Sequence, residues 1–294
     1  MLIATLIAPE GRLGLQDLDK AALAIGGAGG VAGEPRWLDE GFAVDLPVAR
    51  IDAGAARAVL EGLIGGADVV VQPAAGRAKK LLVADMDSTM ITIECIDELA
   101  DYAGIKAEIA EVTERAMRGE LDFEAALDAR VALLAGLGAE MIDRCYEERV
   151  RLMPGAIPLI RTMRANGARC VLVSGGFTVF ADRVAAEIGF DRALSNVLEI
   201  ADGKLAGRVA RPIVGAETKR RTLLAEAEAL GINTAEVLAV GDGANDIPMI
   251  QAAGLGVAFR AKPKTAAAAG ARIEVGDLSA LLWAQGYTRA QWVE

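Results

Sequence analysis

Three times along this chain a run of apolar residues breaks abruptly into oxygen-bearing side chains. Leu81-Leu82-Val83-Ala84 runs into Asp85-Met86-Asp87-Ser88-Thr89, Cys170-Val171-Leu172-Val173 into Ser174-Gly175-Gly176, and Val237-Leu238-Ala239-Val240 into Gly241-Asp242-Gly243-Ala244-Asn245-Asp246. Short, continuous apolar runs suit strands of a parallel sheet buried on both faces, and the C-terminal ends of such strands are where open α/β sheets keep their chemistry. Between the first and second runs the pattern changes. Over 97–103, 107–117, 122–134 and 139–149, apolar residues recur at three- and four-residue intervals, which predicts four helices. Glycines at 104, 119, 136 and 138 stand at plausible helix ends. The segment 94–152 is therefore expected to be a helical insert in the sheet. Further helices are predicted over 157–166, 179–188 and 220–230, the last opened by Thr218-Lys219. A hairpin is predicted over 193–209, turning at Asp202-Gly203, and two short strands over 254–259 and 273–275.

The first 73 residues follow a different order. Strand 2–8, helix 17–25, a glycine-rich turn 26–33, strand or hairpin 36–45, helix 53–63 and strand 68–72 make a βαββαβ sequence of short elements, the pattern of a small ferredoxin-like module. Residues 73–77, PAAGR, read as a linker. Gly26-Gly27-Ala28-Gly29-Gly30 lacks the lysine and hydroxyl of a phosphate-binding loop and reads as a plain flexible loop. The expected fold class is α/β: a Rossmann-like parallel sheet with helices on both faces and a helical cap insert, preceded by a small ferredoxin-like βαββαβ domain. The expected boundaries are 1–76 and 77–294, with the cap at about 94–152.

Composition narrows the chemistry. The 294 residues are 53% hydrophobic but only 4% aromatic, ample for a core of aliphatic helices on a sheet. No run approaches the roughly 20 apolar residues of a spanning helix. The opening MLIATLIAPEGR has no basic residue ahead of a short apolar run, unlike a typical signal peptide, so a cytoplasmic protein is expected. The 3 cysteines, Cys95, Cys145 and Cys170, are odd in number and lack CxxC spacing, which supports neither a disulfide framework nor a cysteine zinc site. The absence of histidine removes every histidine-based triad, zinc site and general base. Acid–base or metal chemistry must then rest on carboxylates, lysine, hydroxyls and backbone, which favours hard cations such as Mg2+. A net charge of -10 argues against general nucleic-acid binding.

Each chemical feature alone has a plain alternative: an aspartate capping a helix, an ordinary Ser/Gly turn, a surface lysine. Together, DMDST, SGG after a strand, Lys219 and GDGAND, in that order over about residues 80–260, resemble the haloacid-dehalogenase superfamily of phosphotransferases. The resemblance implies that Asp85 is a nucleophile forming an aspartyl-phosphate and that Asp87 is general acid and then base. It implies Mg2+ held by Asp85, the Asp87 backbone carbonyl and Asp242, with Asp246 orienting that set from behind. It further implies that Lys219, the Ser174 hydroxyl, the Gly175 N–H and Asn245 serve the phosphate. Within the insert, IECIDELADYAG and TERAMRGELDFEAALDARVALLAGL resemble the phosphoserine phosphatases. On that resemblance Glu94 accepts the substrate ammonium, Arg130 clamps its carboxylate, and Phe123 and Met117 close over O-phospho-L-serine. Phe123 and Arg130, seven residues apart, share a helix face. The N-terminal module is similar to amino-acid-binding regulatory domains, with a regulatory or homodimerisation role implied and the chemistry expected to survive without it. Two rivals share the motifs: a phosphotransferase using an acceptor such as homoserine, and a serine-responsive regulator with a vestigial catalytic part.

Overall fold

The computed structural model describes every residue except Gly119 and the side chain of Met117, so the role expected of Met117 lies outside the described residues. The chain begins β1 (Leu2–Ile7), α1 (Leu15–Gly27), β2 (Val31–Ala32), β3 (Arg36–Asp39), β4 (Ala43–Ala49), α2 (Ala53–Leu60) and β5 (Asp68–Pro73). It continues with β6 (Leu81–Ala84) and the insert helices α3 (Cys95–Ala103), α4 (Lys106–Met117), α5 (Phe123–Leu133) and α6 (Glu140–Arg149). Next come α7 (Ala156–Ala165), β7 (Arg169–Phe177), α8 (Thr178–Ile188), β8 (Arg192–Asn196), β9 (Leu198–Ala201), β10 (Lys204–Val209) and α9 (Ala216–Ala229). The last elements are β11 (Val237–Gly241), α10 (Ile247–Ala252), β12 (Leu255–Phe259), α11 (Pro263–Ala268), β13 (Ala271–Ile273) and α12 (Ala280–Ala284). No described helix is long and apolar enough to cross a membrane.

The N-terminal sheet runs β2-β4-β1-β5, with β3 pairing the same edge of β4 as β2. The second ferredoxin-like strand is thus in two pieces, broken at Gly33-Glu34-Pro35, where proline can neither donate to the ladder nor leave its predecessor free. Side-chain alternation divides the sheet's two faces. Ala4, Leu6, Val69 and Val71 pack under α1 and α2 with Leu18, Ile25 and Leu60. Ile7, Leu38, Ala43 and Val70 belong to the same core cluster as Leu278, Leu281 and Trp283 near the C-terminus. Buried polar groups pin this contact. Asp68 accepts the backbone N–H of Glu274 and Gly276 at 2.8 and 2.7 Å, Gln72 donates to the Ala284 carbonyl at 2.8 Å, and Arg77 bonds Asp45 at 2.6 Å.

The second sheet is wholly parallel, in the order β13-β12-β11-β6-β7-β8. From β6 the chain winds outward through β7 to β8, then returns to β11 on the other side of β6 and winds outward again. The switch point lies between β6 and β11, and the crevice above it is the natural ligand site of such a sheet. Two expectations need correcting. Arg192–Asn196 is a sixth strand paired in parallel with β7, and only β9 and β10 form the hairpin. RALSN lacks the apolar run that marks its neighbours, so its place in the sheet is invisible in its own pattern. Helix α9 starts at Ala216, so Lys219 lies within its first turn rather than ahead of it. The hairpin also reaches the insert: Leu205 bonds the backbone of Gly136 and Leu137 at 2.9 and 2.8 Å, beside the end of α5.

Candidate active site

The strand ends of β6 and β11 deliver three buried carboxylates, Asp85, Asp242 and Asp246, whose oxygens lie within 4.8 Å of one another. Lys219 is buried among them, its ammonium 2.6 Å from Asp85 Oδ1 and 2.6 Å from Asp246 Oδ1. Burial opposes the Lys219 charge, but Asp246 and Asp85 outweigh it and hold the ammonium protonated beyond its usual range. Burial, then repulsion from Asp246, pushes Asp85 well above the ordinary carboxylate range against the pull of Lys219. Asp242 rises to about 6 through burial and the same neighbour. Three carboxylates facing one ammonium leave surplus negative charge in a dry pocket, and that all-oxygen donor set fits a hard divalent cation. Asp246 has both oxygens committed, one to Lys219 and one to the Gly243 N–H at 2.9 Å. Its carboxylate therefore orients its neighbours.

Asp87 is carried past the strand end by Met86 and turned toward β7. Its Oδ1 accepts the Cys95 N–H at 3.4 Å, and a Cβ on Gly176 would stand 2.7 Å from its Oδ2 and 3.0 Å from Ser174 Oγ. Only glycine admits that approach. Burial, then the nearby Glu94 carboxylate, raises Asp87 to about 7, a value at which it can both give and take a proton at neutral pH. Ser174 Oγ accepts the Gly176 N–H at 2.8 Å. Ser88 sits at φ +55°, a left-handed conformation that costs a serine roughly 1 kcal/mol, and its hydroxyl donates to Glu94 Oε1 at 2.7 Å. Residue identity and spacing alone give Ser88 and Gly176 no part of their own. The doubled glycine after Ser174 was a usable signal for the second, but no spacing rule links Ser88 to Glu94.

The insert closes the site from above. A Cβ on Gly175 or on Gly215 would come within 3.1 or 3.2 Å of the Phe123 ring, so the ring lies across both glycines. The Asn245 amide lies on the same side, 3.8 Å from that Gly175 position. Arg130 makes no ion pair among the described residues; its Nε donates to the Ala126 carbonyl at 3.3 Å. Burial lowers its pKa while the nearby charges of Asp97, Glu94 and Asp87 pull it back up. Asp85, Asp87, Glu94, Phe123, Arg130, Ser174, Gly175, Lys219, Asp242, Asn245 and Asp246 thus converge on one crevice. It holds a carboxylate beside an ammonium, a second carboxyl poised near neutrality, donors for an anion, and a guanidinium and carboxylate overhead.

The family model of the haloacid dehalogenase-like hydrolases matches residues 82–251, more than half of the chain. The chain belongs to this family. Among curated relatives of this hydrolase, a Streptomyces coelicolor phosphoserine phosphatase is 47% identical over 254 residues, 85% of this chain and 62% of that protein. The chain therefore spans less than two thirds of that relative's length. A Polaromonas phosphoserine phosphatase is 50% identical over 208 residues, 69% of this chain and 88% of that protein. The unliganded crystal structure of a probable phosphoserine phosphatase from Vibrio cholerae superposes with a TM-score of 0.79 at 34% identity, covering 99% of this chain and 88% of the other.

Proposed function

We propose that this hydrolase is a phosphoserine phosphatase, cleaving O-phospho-L-serine to L-serine and phosphate, the last step of phosphorylated serine synthesis. The observation that carries the substrate choice is the half-buried Arg130, which has no ion pair among the described residues and lies within electrostatic reach of Glu94 and Asp87. A phosphate monoester alone needs neither Arg130 nor Glu94; an amino acid needs both, one for its carboxylate and one for its ammonium.

Asp85 attacks phosphorus in line, and the bond to the seryl oxygen breaks. Asp87 gives its proton to the departing alkoxide, and L-serine leaves. Asp87, now a carboxylate, takes a proton from the water that attacks the phosphoaspartate; phosphate departs and Asp85 is restored. Lys219, the Ser174 hydroxyl and the Gly175 N–H balance charge on the phosphoryl oxygens throughout, and Asn245 orders the same side. Phe123 shields the reacting atoms from bulk water. The donor set suits Mg2+, with the Asp85 and Asp242 side chains and the Asp87 carbonyl as its ligands and Asp246 steadying them. When bound, the cation offsets repulsion between the nucleophile's carboxylate and the phosphate. We further propose a cytoplasmic enzyme with residues 1–76 and 77–294 as its two parts and the cap at about 94–152.

Product analysis tests this reading. Incubated with Mg2+, the protein should release serine and phosphate in equal amounts from phosphoserine, much faster than phosphate from phosphothreonine or simple phosphate esters, and EDTA should stop it. Phosphohomoserine as the main product on adding homoserine would make it a phosphotransferase. No phosphate release with Mg2+ would leave only a vestigial catalytic part.

A further inference from the structure

Asn196 ends β8 and is 1% exposed. Its side-chain amide is fully engaged. Nδ2 donates to the Gly175 carbonyl at 2.9 Å and to the Val214 carbonyl at 3.3 Å, and Oδ1 accepts the Val214 N–H at 2.7 Å. A planar amide that donates along one edge and accepts along the other can join two main chains in this way. No strand pairing joins those two main chains among the described residues.

What Asn196 joins matters for the site. Gly175 follows Ser174 at the end of β7. Val214 precedes Gly215, whose carbonyl accepts the Lys219 N–H at 3.0 Å in the first turn of α9. One buried side chain therefore ties the Ser174–Gly175 wall of the crevice to the wall that bears Lys219. The Phe123 ring rests on Gly175 and Gly215, the anchor on one side and the neighbour of the anchor on the other.

We infer that Asn196 is a positioning residue for the phosphoryl group: its amide holds the Gly175 strand end and the Lys219 helix start at a fixed separation, and so also fixes the floor on which Phe123 closes. This rests on the phosphatase reading above. Asn196 touches no reacting atom. Without its bridge the anion donors on the two walls move independently, and preorganisation of charge around phosphorus is lost while the Arg130 and Glu94 contacts are untouched.

The full chain is compared with Asn196→Asp and Asn196→Ala. Asn196→Asp keeps the size and the acceptor for the Val214 N–H but sets an oxygen against the Gly175 and Val214 carbonyls, so it loses the tie to Gly175 while keeping one bond to Val214; circular dichroism and melting temperature check that each variant is folded. Three quantities are read: kcat and KM on phosphoserine, the same on a phosphate ester lacking amino and carboxylate groups, and orthovanadate affinity by calorimetry in Mg2+. Asn196→Asp should lower kcat and weaken vanadate binding by about tenfold or more. The fold-loss should match on both substrates, with the preference for phosphoserine unchanged. A folded variant within about twofold of the parent in kcat and in vanadate affinity overturns the inference, as does a loss confined to phosphoserine. A parent inactive on phosphoserine, whose vanadate binding still weakens in the variant, would sink the substrate assignment and leave the role of Asn196 standing.

Discussion

Asp85 and Lys219 share a 2.6 Å ion pair in a pocket with two more carboxylates, so the proposed nucleophile is held by charge as well as by its strand. Asp85→Asn keeps the shape but cannot form the acyl phosphate. Turnover should fall by about a thousandfold or more with an unchanged circular dichroism spectrum. Retained turnover would refute the covalent route. Arg130→Ala should raise KM for phosphoserine by roughly tenfold to a hundredfold, the equivalent of a charged hydrogen bond of about 1.5–3 kcal/mol. KM for a carboxylate-free phosphate ester should stay within about twofold, and equal losses on both would remove the clamp. At this scale the placement of Asp85, Asp87 and Asp242 at strand ends was legible, because residue identity and local spacing fix it. Asn196 was not, because its partners stand 21 and 18 residues away and only folding brings them together.

Among the elements, the link into β6 is the least ordinary. Lys79 is 5% exposed, donates to the Gly76 and Ala235 carbonyls at 3.0 and 2.9 Å, and its own N–H bonds Gln285 at 3.0 Å. Burial lowers its pKa from 10.5 to about 8, with Glu236 opposing. Below pH 8 the folded and unfolded chains both carry this proton, and folding bears the full cost of burying it. Between pH 8 and 10.5 the unfolded chain still binds the proton that the folded one has released, so this residue's contribution to stability rises with pH. Denaturant titrations of the parent and Lys79→Met should therefore diverge in the parent's favour from pH 7.5 to pH 10, whatever the offset at pH 7.5. A constant difference would show that Lys79 is not held as described. The insert helices were legible from periodicity alone, whereas β8 was not, since a short polar edge strand is defined by the neighbour it pairs with.

At the scale of the whole molecule, the N-terminal sheet is not a loosely tethered module. One face covers the core that Leu278, Leu281 and Trp283 share with Ile7 and Val70, and Phe42 stacks on Trp283 at 6.4 Å. Removing residues 1–76 should uncover that face and leave the backbone N–H groups of 274–276 without Asp68. Calorimetry on the full chain should show one cooperative transition, and the truncated chain should melt about 10 °C or more lower, at ~2–4 °C per kcal/mol for a protein of this size. Two resolved transitions, or an unchanged Tm, would show that the halves fold independently.

Residue order by itself determined where β6 and β11 give way to oxygen-bearing side chains, that imidazole chemistry is absent, and that a helical insert separates the first two strands of the parallel sheet. These are local properties: a side-chain period of two or of 3.6 and the identity of the residue after it. The tertiary structure decided the strand order that puts the switch point between β6 and β11, the closure of Phe123 over Gly175 and Gly215, the hold of Ser88 on Glu94 and of Asn196 on two main chains, and the shared core between the two sheets. Apart from the Ser88–Glu94 bond, those contacts join residues far apart in the chain, and in all of them burial and hydrogen-bond satisfaction, rather than any sequence period, select the partner.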